Sequence, residues 1–320
     1  MFIRPICEEE LNVFAAFSNN PQTNERFLVY LTQMWNEGYI RPEFCFVAEE
    51  AGVIIGRIAY WKLPSLNNFL EIDFLEIPLS VNYLEVSAEL LVRSLEMLNL
   101  PVHTIIQHTL DIPYPISTSS NSRVRIELLE QFRFSLIRET CRFELQPTML
   151  EIMPSKRLLF RALDDVSEDT FIDAILCVSS DSLDRIIKQE MEELGAFEYA
   201  NECFKRMKAF KYKSTWWQLA YTSDGVLVGL VMPAENDGRA IIGYLGVVPE
   251  QRGHGYANEL LTQGTQTLLS DGATRIRSDA DVNNIPMVAA FRRAGYNQFA
   301  LRKEYRRRLS LILCQQLSSK

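Results

Sequence analysis

The 320-residue sequence contains no Cys-x-x-Cys pair. Its six cysteines (Cys7, Cys45, Cys141, Cys177, Cys203 and Cys314) are scattered, which argues against a zinc site or a disulfide framework and suits a reducing, cytoplasmic setting. No window holds 18 uninterrupted apolar residues, so no membrane partner is expected. The opening MFIRPICEEE meets three glutamates before any long apolar core, unlike a signal peptide. Positive charge is also short: the net charge is −8, which disfavours nucleic acid as a partner.

What is present describes a packed chain. Hydrophobic residues make up 47% and charged residues 23%, which excludes disorder, and the length suits two domains. The charge is uneven: residues 1–154 carry 11 Lys and Arg against 20 Asp and Glu, whereas residues 155–320 carry 22 against 21. An anionic ligand is better tolerated by the second half.

The two halves share a pattern. FCFVAEEAGVIIGRIAYW (44–61) and WWQLAYTSDGVLVGLVMP (216–233) each place two apolar runs about a Gly-containing turn, and Gly52/Gly225 and Gly56/Gly229 are both 173 residues apart. Asp-Gly between apolar runs is a hairpin signal, because glycine accepts the positive φ of a tight turn. Each half continues with a strand (71–78; 241–249), a helix (84–98; 255–269), a strand (102–110; 273–280), and a closing helix and strand. Even the starts agree, FIRPI near Phe2 and LFRAL near Leu159. This implies an internal duplication, with a domain at 1–150, a joint near 147–157 at Pro147 and Pro154, and a domain at 155–320.

The chemistry concentrates at Gly246-Val247-Val248-Pro249-Glu250-Gln251-Arg252-Gly253-His254-Gly255-Tyr256-Ala257. An apolar strand stops at Pro249, a glycine turn follows, and a helix begins with Leu260, Leu261, Gly264 and Leu268 on one face, closing at Asp271-Gly272. A helix start leaves N–H groups unpaired and carries positive partial charge. Gly253, Gly255 and the small Ala257 let an anion approach, and a diphosphate suits such a site. Arg252 either adds a charge-assisted contact or fixes the turn. No Lys-Ser/Thr follows the glycines and no Gly-x-Gly-x-x-Gly is present, so neither a P-loop nor a dinucleotide fold is expected.

Arg252 to Ala257 resembles the Arg/Gln-x-x-Gly-x-Gly/Ala signature of the GNAT (Gcn5-related N-acetyltransferase) superfamily. A second stretch, Asn284-Ile285-Pro286-Met287-Val288-Ala289-Ala290-Phe291-Arg292-Arg293-Ala294-Gly295-Tyr296, resembles that family's Asn-x-x-Ala-x-x-x-Tyr-x-x-x-Gly-Phe segment. The resemblance covers about 157–310. It implies two tandem α/β GNAT-like domains, each a mixed, mostly antiparallel central sheet flanked by helices. It further implies an acetyl-CoA site built from Val247, Val248, Arg252, Gly253, His254, Gly255, Tyr256, Ala257, Asn284 and Phe291. The implied activity is acetyl transfer to an amine by direct attack on the thioester, with no metal. A small-molecule or peptide amine is the expected acceptor.

Two departures matter. Phe291 stands where the family often has a tyrosine that protonates the leaving thiolate, and phenylalanine has no such proton. The base is also unmarked. In some members, such as the ribosomal-protein alanine acetyltransferases, an acid five residues before the motif asparagine serves; that spacing selects Asp279. On a continued strand Asp281 projects to the same face, and two carboxylates together recruit a cationic amine and raise one pKa. The plainer role for both is a solvated strand end capping the next helix. Tyr244 either lines the acceptor site or packs in the sheet.

Other residues have plainer expectations. His103 and His108 read as structural, and Trp216 and Trp217 as core. The basic run Lys205, Arg206, Lys208, Lys211 and Lys213 reads as a solvated loop or helix face, or as an attractor for a 3′-phosphate or an acidic partner. In the first half the glycine turn is replaced by Pro78-Leu79-Ser80-Val81-Asn82-Tyr83-Leu84. Side chains there crowd a diphosphate, so the N-terminal copy is expected to be degenerate. Pairs of one active and one decayed copy occur in the superfamily, as in mycothiol-synthase-like enzymes. That is a likeness of architecture and does not select a substrate. The remaining alternatives are a non-catalytic acyl-CoA-binding or regulatory protein, and transfer to a hydroxyl or thiol. The acceptor and the oligomeric state are not legible.

Overall fold

The structure, a computed structural model, describes residues 1–62, 68–77, 82–115, 122–146, 157–236 and 238–309. The prolines of the expected joint, Cys314 and the 78–81 stretch fall outside them. The elements run β1 (Phe2–Pro5), α1 (Leu11–Ala15), α2 (Pro21–Asn36), β2 (Cys45–Glu50), β3 (Val53–Trp61), β4 (Phe69–Glu76), α3 (Tyr83–Leu98), β5 (Ile105–Pro113), α4 (Ser122–Gln131) and β6 (Ser135–Leu145). The second half adds β7 (Leu159–Ala162), α5 (Glu168–Ser179), α6 (Arg185–Leu194), α7 (Ala196–Lys208), β8 (Gln218–Tyr221), β9 (Leu227–Asn236), β10 (Arg239–Val247), α8 (Tyr256–Ser270), β11 (Ile276–Asp281), α9 (Ile285–Arg293) and β12 (Asn297–Arg308).

The chain forms two compact units, each interleaved along the sequence. The first holds 1–110, all of α4 with the first residues of β6, and the last residues of β12; the second holds 111–117 and 138–302. A division at 150/155 therefore separates β6 from the sheet in which most of it lies.

In the first unit the strands lie in the order β1-β2-β3-β4-β5. The neighbours β1 to β4 pair antiparallel, and β4 and β5 pair parallel. The β2–β3 hairpin turns at Ala51 and Gly52, both with positive φ. Strand alternation sends Phe46 and Ala48 into a core under α3 and α4, and Cys45 and Val47 into another under α1 and α2. His108 is a structural residue, buried with its Nδ1 2.6 Å from the Ile72 carbonyl. His103 sits in a turn at φ +73°.

The second unit repeats the order: β7-β8-β9-β10-β11, antiparallel up to β10 and parallel from β10 to β11. Beyond β11 lies β6, antiparallel, with Asp279 opposite Arg142. One core fills this unit. Leu260, Leu261, Gly264 and Leu268 of α8 are all buried in it or against it. Gly264 lets α8 close on the sheet, since a β-carbon there would sit 2.6 Å from Val231 Cγ2. Trp217 is wholly buried, donates its indole N–H to the Pro233 carbonyl at 3.0 Å and stacks on Tyr212. Ser167 caps α5 and Asp184 caps α6 through their side-chain oxygens.

Candidate active site

The site grows out of an irregularity in β10. Its pairing with β9 shifts register between Ile242 and Tyr244, leaving Gly243 as a bulge. On its other edge β10 pairs with β11 only at Ala240 and Ile241. Beyond that point the two strands part. Hydrogen bonding alternates along an antiparallel ladder. The Val248 N–H donates to Val228 O at 2.9 Å, so the amides of Leu245 and Val247 face the parting. A cavity of about 790 Å³ opens there, lined by Tyr244, Val247, Gly255, Ala280, Asn284 and Phe291 among others.

One end of this cavity is the glycine turn. Gly253 and Gly255 have φ of +85° and +82°, which glycine adopts without strain. A β-carbon at either would meet nothing within 4 Å, so the space before the turn is open. Gly255 is the N-cap of α8 and supplies no side-chain bond. The first amides of α8 therefore lack a side-chain cap, the arrangement that receives an anion. Tyr256 and Ala257, the first residues of α8, line the same cavity.

Arg252 acts as a strut. Its Nε donates to Val247 O (3.1 Å), Nη1 to Asp181 O (3.0 Å), and Nη2 to Val178 O (3.2 Å) and Ser180 O (2.7 Å). Of the two roles open to it, the geometry is that of fixing the turn against the end of α5. Arg157, which no motif marks, clips the other side. It donates to the His254 carbonyl at 3.0 Å, pairs with Glu259 at 2.7 Å and lies over the Tyr256 ring. The His254 contact with Arg157 is through its backbone carbonyl, and His254 is not among the residues lining the cavity.

The carboxylates divide in role. Asp279 Oδ1 accepts from Arg142 Nε at 3.3 Å, its other oxygen lies 3.9 Å from Arg302, and Asp111 bonds both arginines. Asp281 is 1% exposed. It accepts from Arg185 N (3.2 Å), Asn283 N (2.8 Å) and Asn283 Nδ2 (2.9 Å), tying the start of α6 to β11. Both line the cavity. Tyr244 bonds Ser179 Oγ at 2.7 Å, and because Ser179 donates to Ile175 O, the phenol is the donor. Burial pushes the Tyr244 and Tyr199 phenols up, so both stay protonated. Asn284 accepts from Met287 N as the cap of α9. Phe291 is 2% exposed and stacks on Phe143 with centroids 5.0 Å apart.

The basic run is neutralised on the surface: Lys205 pairs with Glu202, Arg206 with Glu190, Lys208 with Glu168, Lys211 with Glu235 and Lys213 with Asp271. The sequence reading missed the cavity wall of α6 and α7. Ile187, Tyr199, Cys203 and Met207 line it, and Tyr199, Cys203 and Met207 recur at four-residue steps, a helical stripe that was legible. It also missed Arg138 of β6, which lines the cavity and holds Asp184 at 2.8 Å.

Residues 181–296 match the acetyltransferase (GNAT) family model. The matched stretch lies within the second unit. Over 89 residues the chain is 32% identical to the mycothiol acetyltransferase of Clavibacter michiganensis subsp. michiganensis, a stretch that takes in 28% of this chain and 29% of that protein. The chain thus aligns with under a third of the length of the curated relatives it matches. Among solved structures, a GCN5-related N-acetyltransferase from Sphaerobacter thermophilus superposes with a TM-score of 0.62 at 16% identity, covering 96% of this chain and 95% of that one. A tandem GNAT protein from the clavulanic acid biosynthesis pathway gives 0.51 at 14% identity, covering 96% and 98%. At such identities the likeness is one of fold, and it extends the GNAT architecture over both halves. No helix among the described residues is long and apolar enough to cross a membrane.

Proposed function

We propose that the protein is an acetyl-CoA-dependent N-acetyltransferase whose cofactor lies along β10 and the start of α8. The observation that carries this reading is the join of two features: an α8 start left uncapped behind Gly253 and Gly255, and a parted β10/β11 edge running from it. The residues fit the group. The amides of 253–257 receive the diphosphate, and the amides of Val247 and Leu245 receive the pantetheine arm and polarise the thioester carbonyl. Val248, expected beside the cofactor, does not line the cavity: its side chain is buried in the core and its N–H is bonded to Val228. Bound there, acetyl-CoA supplies an activated acyl group that an acceptor amine takes directly.

For the chain's own groups, Asp279 is the base that accepts the amine proton, directly or through water. It is exposed to the cavity side while Asp281 is committed to the α6 backbone. Phe291 has no proton to give and Tyr244 donates its own to Ser179, so neither protonates the departing thiolate, which takes its proton from solvent. The first unit is a degenerate copy without this chemistry.

Calorimetry with acetyl-CoA on the wild type and Gly255→Trp tests the reading. Binding by the first and loss by the second are expected, and equal affinities remove the site. A second reading, an acyl-CoA-binding protein without turnover, draws on Phe291 and on the arginines engaging Asp279. Acetylation of any member of an amine panel that collapses in Asp279→Asn, with acetyl-CoA affinity kept, rejects it. Product mass spectrometry separates N- from O- or S-acetylation.

A further inference from the structure

We propose that Met207 sets the acyl length, closing the site to chains longer than acetyl. The inference rests on the acyl-CoA reading above. Two glycines of β10 are covered from the α5 and α7 side. A β-carbon on Gly246 would lie 2.6 Å from Val178 Cβ, and one on Gly243 would lie 2.5 Å from Met207 Cε and 3.3 Å from its Sδ. The thioether therefore lies directly against the bulge backbone. Between the two glycines, Tyr244 is tied to Ser179 and does not swing aside.

The open amides of Leu245 and Val247 come just before the bulge when the strand is followed back from the glycine turn. A thioester carbonyl held by them sets the acyl carbons toward Gly243, and the carbon after the acetyl methyl meets Met207. Met207 is 4% exposed and lines the cavity with Cys203, Phe210 and Ile242. Val178 is stiff, being β-branched on a helix whose end Arg252 clasps. Methionine is unbranched, and cutting it back to Cβ frees the space of three heavy atoms among apolar neighbours.

The test titrates acetyl-, propionyl- and butyryl-CoA into the full chain as wild type, Met207→Ala and Met207→Val, with thermal melts to confirm folding. The valine variant keeps more core volume should alanine fail to fold. The wild type is expected to bind butyryl-CoA at least ~10-fold more weakly than acetyl-CoA, the size of discrimination that one or two excess methylenes produce. In the variants the gap should close to about 3-fold, through a gain for butyryl-CoA with acetyl-CoA affinity held. A wild type indifferent to chain length, or a gap unchanged in both variants, overturns the role of Met207 and leaves the acyl-CoA reading standing. A folded wild type that binds none of the three overturns both.

Discussion

Arg252→Ala separates two roles that a motif alone merges. The guanidinium makes four hydrogen bonds to main-chain carbonyls of 178–181 and Val247. Charge-assisted bonds of this kind are each worth about 1.5–3 kcal/mol when buried. The head group here is at the surface and the freed carbonyls reach water, so the four together are worth about 2 kcal/mol. For a unit of this size that lowers Tm by about 4–8 °C. Freed of its strut, the turn must be reordered on binding, and acetyl-CoA affinity falls about 10-fold, or ~1.4 kcal/mol. The salt dependence of binding should stay that of the wild type, because no cation that meets the diphosphate has been lost. Arg252→Lys should recover little, since one ammonium cannot span carbonyls on both segments. Scanning calorimetry and titrations at two ionic strengths read all three quantities. An unchanged Tm with lost affinity and a shallower salt dependence would refute the strut and place the arginine on the diphosphate.

Three further outcomes follow from the same geometry. Asp281→Ala leaves the Arg185 and Asn283 amides without their buried acceptor and should cost about 2–3 kcal/mol in denaturant unfolding, with faster hydrogen exchange at the start of α6. Burial holds His108 down at about 4, so between there and 6.5 the unfolded chain binds a proton the folded one refuses, and this group makes stability fall on acidification. Asp73, pushed up by burial to about 6, acts in the opposite sense over about 4 to 6; His108→Gln should therefore flatten the acid-side loss measured by denaturation at pH 4.5, 5.5 and 7. Lys211→Ala with Lys213→Ala should leave acetyl-CoA affinity within about 2-fold, because both lysines are already paired with carboxylates.

What was legible followed from local physics. The face of α8 was readable because Leu260, Leu261, Gly264 and Leu268 obey helical spacing, and its end because Gly272 takes φ +91°. The β2–β3 and β8–β9 hairpins were readable from Ala51-Gly52 and Asp224-Gly225. The partner of β6 was not, since Asp279 and Arg142 lie opposite each other across 137 residues and nothing local selects that pairing. The same limit applies to Arg252: the motif fixes the residue type, but three of the four carbonyls it clasps lie at the end of α5 and just beyond it. Asp279 and Asp281 share a strand face as alternation requires, yet burial and the amides of α6 give them different partners. Of the first unit's counterpart of the glycine turn, only Asn82, Tyr83 and Leu84, at the start of α3, are among the described residues.

The central claim is that the amides opening α8 hold the linked phosphates of a coenzyme. Amide NMR spectra of the labelled chain, recorded with and without acetyl-CoA, test it most directly. The account predicts large shifts at Gly253 through Ala257, with smaller ones at Leu245 and Val247. Saturable binding that moves none of the five turn amides would contradict it.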